Sequence, residues 1–264
     1  MNQPLAYIHP EAKIAHNVVV EPFSTISKNV EIGEGSWIGP NVTIMEGARI
    51  GKNCKIFPGA VISAPPQDLK YKGEPSTVTI GDNSIIRECV TVNRGTALDK
   101  NTTAIGQNCL VMAYVHVAHD CIIGDNVIIA NAVQLAGHIE IQDYAFIGGT
   151  SAVHQFVRIG AHAMISGGTL VRKDVPPFIK AAREPLSYAG INSIGLRRRG
   201  YTNEKIADIQ QIYRTVFVSG LNNAAALDKI EMDMAPSDER DEIVNFIRNS
   251  GRGIIKGYSQ KDVD

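Results

Sequence analysis

Counted from Ile8 in steps of six, the chain places Ile, Val or Leu at every stop through Ile62, at Ile80, Ile86 and Val92, and again at every stop from Ile105 to Val171. Four residues after most stops stands a small or β-branched residue, among them Ala12, Val18, Ser24, Val30 and Cys54 early and Cys109, Val115, Cys121 and Val133 later. An amphipathic helix would space its apolar residues by three and four, and an ordinary strand would alternate briefly and end at a turn. Neither describes this chain. A short period sustained over most of a sequence marks a solenoid, here a parallel β-helix whose triangular coils use three hexapeptides, or eighteen residues, each. The aliphatic stop fills the prism interior, and the small residue fits its tight inner corner. With neighbouring strands ~4.8 Å apart, about eight coils make a rod about 40 Å long.

The repeat breaks at 64–79 and 97–104. Pro65, Pro66, Gly73 and Pro75 make the first break an excursion off the coil, and loops on rigid scaffolds commonly carry binding groups. Asp68 and Lys70 are its candidates, although a charge alone in a loop is more often simply solvated. After Pro176-Pro177 the pattern turns helical. Thr202 or Asn203 can cap a helix with Ile206, Ile209, Tyr213, Val216 and Phe217 on one face, ending near Gly220; a second follows Ser237, uses Ile243, Phe246 and Ile247 and stops at Gly251. The expected division is therefore a β-helix over 1–184 and a helical domain over 185–264. A solenoid end needs such a cap, so a structural role suffices for it.

Composition narrows the class. A chain of 264 residues with 44% hydrophobic content and a formal net charge of −1 is not disordered and has no global attraction to nucleic acid or membrane. No long apolar run suggests stable membrane insertion, and Met1 to Pro10 lacks the pattern of a signal peptide, so a cytoplasmic location is expected. Three of the four cysteines, Cys54, Cys109 and Cys121, occupy the small-residue position; with Cys89 they match no zinc spacing and read as buried space-fillers.

The register sorts the seven histidines. His119, His138 and His154 lie in the hexapeptides that begin at 117, 135 and 153, one face of three consecutive coils, and His116 points outward onto that face. His9, His16 and His162 read as ordinary surface residues. Grouped titratable side chains favour a site. Three neutral imidazoles can bind zinc; alternatively, a histidine suits general-base removal of a hydroxyl proton, with Asp120 orienting the ring of His119. No serine or cysteine stands in a nucleophile motif, which favours direct transfer over an acyl-enzyme. Gly137 offers an unobstructed backbone amide to an oxyanion. Arg197, Arg198 and Arg199 concentrate charge either on a solvated helix face or toward phosphate.

Gln67-Asp68-Leu69-Lys70-Tyr71, Gly73-Glu74-Pro75, His116-Val117-Ala118-His119-Asp120-Cys121, Leu135-Ala136-Gly137-His138, Val153-His154-Gln155-Phe156 and Gly195-Leu196-Arg197-Arg198-Arg199-Gly200, in this order, closely resemble the UDP-N-acetylglucosamine O-acyltransferase family of lipid A biosynthesis. The resemblance spans nearly the whole chain. It implies a left-handed β-helix and a homotrimer with sites in clefts between rods. It also implies transfer of an (R)-3-hydroxyacyl chain from acyl carrier protein to the 3-hydroxyl of UDP-N-acetylglucosamine, without a cofactor or metal. By it, His119 is the base, Asp120 its partner and Gly137 the oxyanion amide. Asp68, Lys70, His116, His138, His154 and Gln155 would line the pocket, and Asn192, Arg198 and Arg199 would meet the nucleotide or the carrier. Gly167 matches a position that limits acyl length. Ile194 stands where relatives often carry a glutamate near the nucleotide. The sister N-acyltransferases carry an N-terminal domain for which a repeat starting at Ile8 leaves no room. The γ-class carbonic anhydrases use a histidine pair five apart, whereas His116 and His119 are three apart.

Overall fold

Coils of eighteen residues do form, each contributing strands of mostly two residues to three sheets of parallel strands. The computed structural model describes residues 5–257; residues 1–4 and 258–264, the extremes of the expected division, lie outside the described residues. The sheets contain nine, eight and eleven strands. Pairing follows the repeat: His116 and Val117 lie beside Gln134 and Leu135, which lie beside Ala152 and Val153. The second residue of each pair points inward, and Ile26, Ile44, Ile62, Val117, Ile129 and Leu135 are completely buried. Two-residue strands have no independent stability. The axial hydrogen-bond ladder and this apolar column hold them together, each buried aliphatic side chain contributing roughly 1.5–3 kcal/mol.

Between faces the chain turns on two residues, the second in the left-handed region: Asn29, Asn41, Asn53, Asn83, Asn108 and Asn126 have φ of 53–60°. Asparagine tolerates this conformation better than most residues. At the small-residue position Ser36 Oγ donates to Gly51 O (2.9 Å) and accepts from Cys54 N (3.0 Å), so polar residues enter the corner without an orphaned atom. Cys54, Cys109 and Cys121 are buried fillers as expected, but Cys89 is exposed, and all four thiols are free.

The first excursion runs over 65–76, between Val61–Ala64 and Thr77–Ile80. The second occupies 94–101 and not 97–104, because Thr102–Ile105 already pairs residue for residue with Thr77–Ile80. Glu74 links the excursions, accepting from Lys72 N (2.8 Å) and Ala97 N (3.4 Å).

At the far end, Ile179–Ala182 and Ser187–Ile191 form an antiparallel hairpin on the eleven-stranded sheet. Four helices follow: α1 (Ser193–Arg198), α2 (Asn203–Val218), α3 (Asn223–Asp233) and α4 (Asp238–Arg248). Thr202 and Ser237 cap α2 and α4. The sequence pattern did not announce α3, which buries only Ala226, Leu227 and Ile230. Tyr213, fully buried on α2, donates to Pro177 O (2.6 Å) and fastens the helices to the coil end.

His162 is not the surface residue its isolation in sequence suggested. It is 9% exposed and stacks between Tyr144 (4.9 Å) and Phe178 (5.4 Å), with Tyr201 against its edge. Burial, then the Arg199 guanidinium, lowers its pKa to about 4, partly opposed by Asp143. Glu242 on α4 is pushed up to about 7 by burial, Glu239 and Asp143. These groups act on stability with opposite signs. An unfolded His162 binds a proton near 6.5 and the folded one near 4, so stability from this site is gained as pH rises from 4 to 6.5. Glu242 holds its proton to about 7 when folded and to 4.5 when unfolded, so stability is lost as pH rises between those values.

Two outcomes are expected. Glu242→Gln removes the opposing slope, so its melting temperature should rise more steeply with pH between 4.5 and 6.5 than that of the wild type, by roughly 3 °C per kcal/mol of slope removed; parallel curves would contradict the assignment. Ile129→Ala, which empties a closed interior site, should cost about 2–5 kcal/mol in denaturant titration.

Candidate active site

Three successive turns at the corner between the nine- and eight-stranded sheets carry the chemistry. His119-Asp120, Gly137-His138 and Gln155-Phe156 stack there at eighteen-residue intervals. Asp120, His138 and Phe156 all occupy the left-handed turn position, with φ of 58, 62 and 64°.

That conformation turns the Asp120 carboxylate inward, where it is 0% exposed. Oδ2 accepts from His119 Nδ1 (2.9 Å) and from Thr96 Oγ1 (2.6 Å), and the Thr96 amide donates to both oxygens (3.0 and 3.1 Å). Asp120 N donates to Thr103 Oγ1 (2.8 Å). Burial pushes the Asp120 carboxyl upward, but the Thr96 hydroxyl and amide and His119 outweigh it and hold the group below its ordinary range. A carboxylate only accepts, so the His119 proton sits on Nδ1 and Nε2 is left as a base.

The ring of His119 lies over Gly137. A Cβ on residue 137 would stand 2.8 Å from His119 Cε1 and 2.9 Å from Nε2, so only glycine leaves the ring in place. Ala136 N and His138 N are used by the ladder, whereas the Gly137 amide makes no hydrogen bond among the described residues. His138 meets the His119 ring edge to face (4.9 Å, 90°), stacks on Phe156 (4.5 Å, 13°) and bonds through Nδ1 to Asp99 Oδ2 (2.6 Å). His116 is half-buried with Nδ1 against Thr91 Oγ1 (2.7 Å); burial, then His119, lowers its pKa. Cys121, behind the dyad, is no nucleophile: its thiol donates to Ala136 O (3.1 Å), and burial pushes it up to about 12.

A groove of about 560 Å³ opens beside the histidines, lined by Asp68, Lys70, Lys100, His138, Phe156 and Arg158 among others. Asp68 and Lys70 reach the groove from the first excursion. Asp68 Oδ1 accepts from Lys70 N (2.9 Å), which fixes the local turn. Lys100 and Arg158 both face Glu140, at 3.4 Å each.

Of the remaining candidates only His154 shares this corner. It lies one rung on, with Nδ1 on Gln155 O (3.1 Å) and no ring contact to the other imidazoles. Gly167 lies in the turn between the eleven- and nine-stranded sheets, where a Cβ on residue 167 would stand 3.0 Å from Gly149 O. Asn192, 7% exposed, caps α1: its oxygen accepts from Gly195 N (3.2 Å) and its amide donates to His162 O (3.0 Å). Arg199 donates to Tyr144 O (3.2 Å) and covers the Tyr144 ring (5.1 Å). Arg198 is exposed and makes no hydrogen bond or ion pair among the described residues. Asn192 and Arg199 therefore sit by the third corner, across the prism from His119.

Thr96, Thr103 and Asp99 escaped the sequence reading because they lie in or beside an excursion that the period does not index. Phe156 was within reach, since it is eighteen residues from His138.

Ligand atoms of His119, Asp120 and His138 lie within 4.8 Å of one another, as metal ligands would. The Asp120 carboxylate is already committed to Thr96 and His119, however, and both Nδ1 atoms face carboxylates. Two Nε2 atoms remain, one short of the three protein ligands typical of catalytic zinc.

A β-helix of hexapeptides with a histidine–carboxylate pair above an open backbone amide defines a hexapeptide-repeat acyltransferase. Family models agree: the bacterial transferase hexapeptide matches residues 29–64 and 102–137, and the second domain of UDP-N-acetylglucosamine O-acyltransferase matches 174–255. An acyl carrier protein–UDP-N-acetylglucosamine O-acyltransferase of Janthinobacterium is 45% identical over 203 residues, 74% of this chain and 76% of that protein. The UDP-N-acetylglucosamine acyltransferase structure from Bacteroides fragilis is 54% identical, with a TM-score of 0.95 over 97% of this chain and all of that one. The Francisella novicida enzyme is 42% identical, with a TM-score of 0.96 over 100% and 97% of the two chains. The chain belongs to the UDP-N-acetylglucosamine O-acyltransferase family. Among the described residues no helix is long and apolar enough to cross a membrane.

The Gly137 geometry gives a direct test. Gly137→Ala should lower acyl transfer at least about 100-fold, the scale of losing an oriented base or oxyanion donor, with an unchanged melting temperature; activity near that of the wild type would mean the ring does not need its present seat.

Proposed function

We propose that this protein moves an (R)-3-hydroxyacyl group from acyl carrier protein to the 3-hydroxyl of UDP-N-acetylglucosamine, opening lipid A biosynthesis, with His119 as general base. The observation that carries the reading is the His119–Asp120 pair, 2.9 Å apart, directly above the open amide of Gly137.

In this mechanism the Nε2 atom of His119 takes the proton of the sugar hydroxyl as its oxygen attacks the thioester carbonyl. Asp120, bonded to Nδ1, stabilises the imidazolium that forms. The Gly137 amide meets the oxyanion of the tetrahedral intermediate. Collapse breaks the carbon–sulfur bond, and His119 returns the proton to the departing thiolate. No acyl-enzyme is required, in keeping with the buried, high-pKa thiol of Cys121.

Of the remaining assignments, Asp68, Lys70 and His138 line the groove. Asp68, Lys70, His116, His138, His154 and Gln155 bind the sugar, phosphates and acyl group, and Gly167 limits the acyl tail. Asn192, Arg198 and Arg199 serve the nucleotide or carrier. Because this last set stands by a corner away from His119, one rod cannot present all of them to one ligand, which supports a homotrimer with sites between neighbouring rods. Residues 185–264 then act both as the end cap of 1–184 and as part of the next rod's site, in a cytoplasmic protein.

The test is mass spectrometry of products from UDP-N-acetylglucosamine and a mixture of acyl carrier protein thioesters. One O-acylated sugar nucleotide is expected, and His119→Ala should lower kcat/KM by about 10²–10⁴-fold while melting and assembly stay unchanged. A fully active variant would end the assignment of the base, and no acylated sugar from the wild type would end the assignment of the reaction.

A further inference from the structure

The second excursion, to which the repeat assigns no chemistry, sends one carboxylate back to the catalytic corner. Asp99 Oδ2 lies 2.6 Å from His138 Nδ1 across 39 residues of sequence. Lys100 Nζ stands 3.8 Å from the same oxygen and 3.4 Å from Glu140, which steadies the loop against the coil. We propose that Asp99 is a positioning residue: it holds the proton of His138 on Nδ1 and so presents Nε2 as a hydrogen-bond acceptor for a substrate hydroxyl in the groove. This rests on the sugar-nucleotide reading above.

The argument is one of tautomer and rotation. A neutral imidazole carries one N–H and one bare nitrogen, and which is which is decided by the partner. Free in water, the histidine side chain favours the proton on Nε2, which would turn a donor toward the groove. A carboxylate at Nδ1 can only accept, so it reverses that preference. The ring cannot evade the choice by turning over. It is stacked on Phe156 at 4.5 Å and 13°, and it abuts His119 edge to face.

His119 and His138 thus share one logic with different sources of the carboxylate. His119 draws on Asp120, the next residue in the same turn, whereas His138 draws on a loop laid across the coil. The groove beside them is lined by Asp68, Lys70, Lys100 and Arg158, so a polyhydroxylated anion entering it meets cations and one bare imidazole nitrogen together.

Nitrogen-15 histidine-labelled protein reports the tautomer directly by long-range proton–nitrogen NMR at pH 8.5, with the His138 signals assigned by their loss in His138→Gln. The wild type should show the Nδ1-protonated form. Asp99→Asn, whose amide can donate to Nδ1, should move the proton to Nε2. It should also raise KM for UDP-N-acetylglucosamine about tenfold, as one lost hydrogen bond does, with kcat within about threefold and an unchanged melting temperature. An unchanged tautomer in Asp99→Asn, or a changed tautomer with an unchanged KM, overturns the proposal. Were the wild type to transfer no acyl group at all, the functional reading would fall, while the NMR comparison would still decide whether Asp99 sets the ring.

Discussion

The structure depends on one alignment, the stacking of each inward aliphatic side chain on its counterpart eighteen residues away. Strands of two residues, such as His116–Val117 and Gln134–Leu135, gain nothing from local propensity. They persist because Val117, Leu135 and their successors form a dry column, and because a slip by one residue would turn every inward side chain out. The alignment that closes the core also fixes each outer position to within a rung. A catalytic group placed at the corner inherits the precision of the column behind it.

Chemistry sits at the corners for a backbone reason. Residues within the short strands spend their backbone groups on the ladder, while the amide of the first turn residue lies off it, open to a side chain as at Lys52, Gln107 and Asp125 or to a ligand. The Gly137 amide is such a group, off the ladder because of its place in the repeat, and no side chain among the described residues takes it up. The second turn residue lies in the left-handed region, unfavourable by roughly 1–2 kcal/mol for most side chains, and the coil compels it. At Asp120 and His138 this directs functional side chains to where ordinary turns carry asparagine. The same mechanism at another corner builds the Tyr144–His162 stack, where it fastens the helical end.

How much of this the sequence displayed differs from part to part for physical reasons. The β-helix and the grouping of His119, His138 and His154 on one corner follow from a period of six, since the interior admits only aliphatic residues at the stops. Asp120 was visible because its partner is the adjacent residue. The Thr96 hydroxyl and Asp99 carboxylate were not, since residues in an excursion obey no period and their destination depends on how the loop folds back. Arg199 and Asn192 illustrate the converse. Their residue types suit a ligand, but in the single chain Arg199 covers Tyr144 and Asn192 caps a short helix. His162 was misjudged because its neighbours in sequence are unremarkable, whereas Tyr144, Phe178 and Tyr201 reach it only once the coils stack.

Two histidine–carboxylate pairs within 5 Å of each other raise the question of which ring accepts the proton, and electrostatics separates them. Asp120 is wholly buried and holds three further hydrogen bonds from Thr96, whereas Asp99 is 36% exposed and faces Lys100. A charge in a low-dielectric setting stabilises a nascent imidazolium far more than one that water and a lysine partly neutralise. His119 also owns the position over the Gly137 amide, so its Nε2 and the oxyanion donor can address the two ends of the same reacting system. His138 stands to the side, against Phe156. The division of labour between them, one ring to move a proton and one to hold a hydroxyl, therefore comes from the depth of their carboxylates.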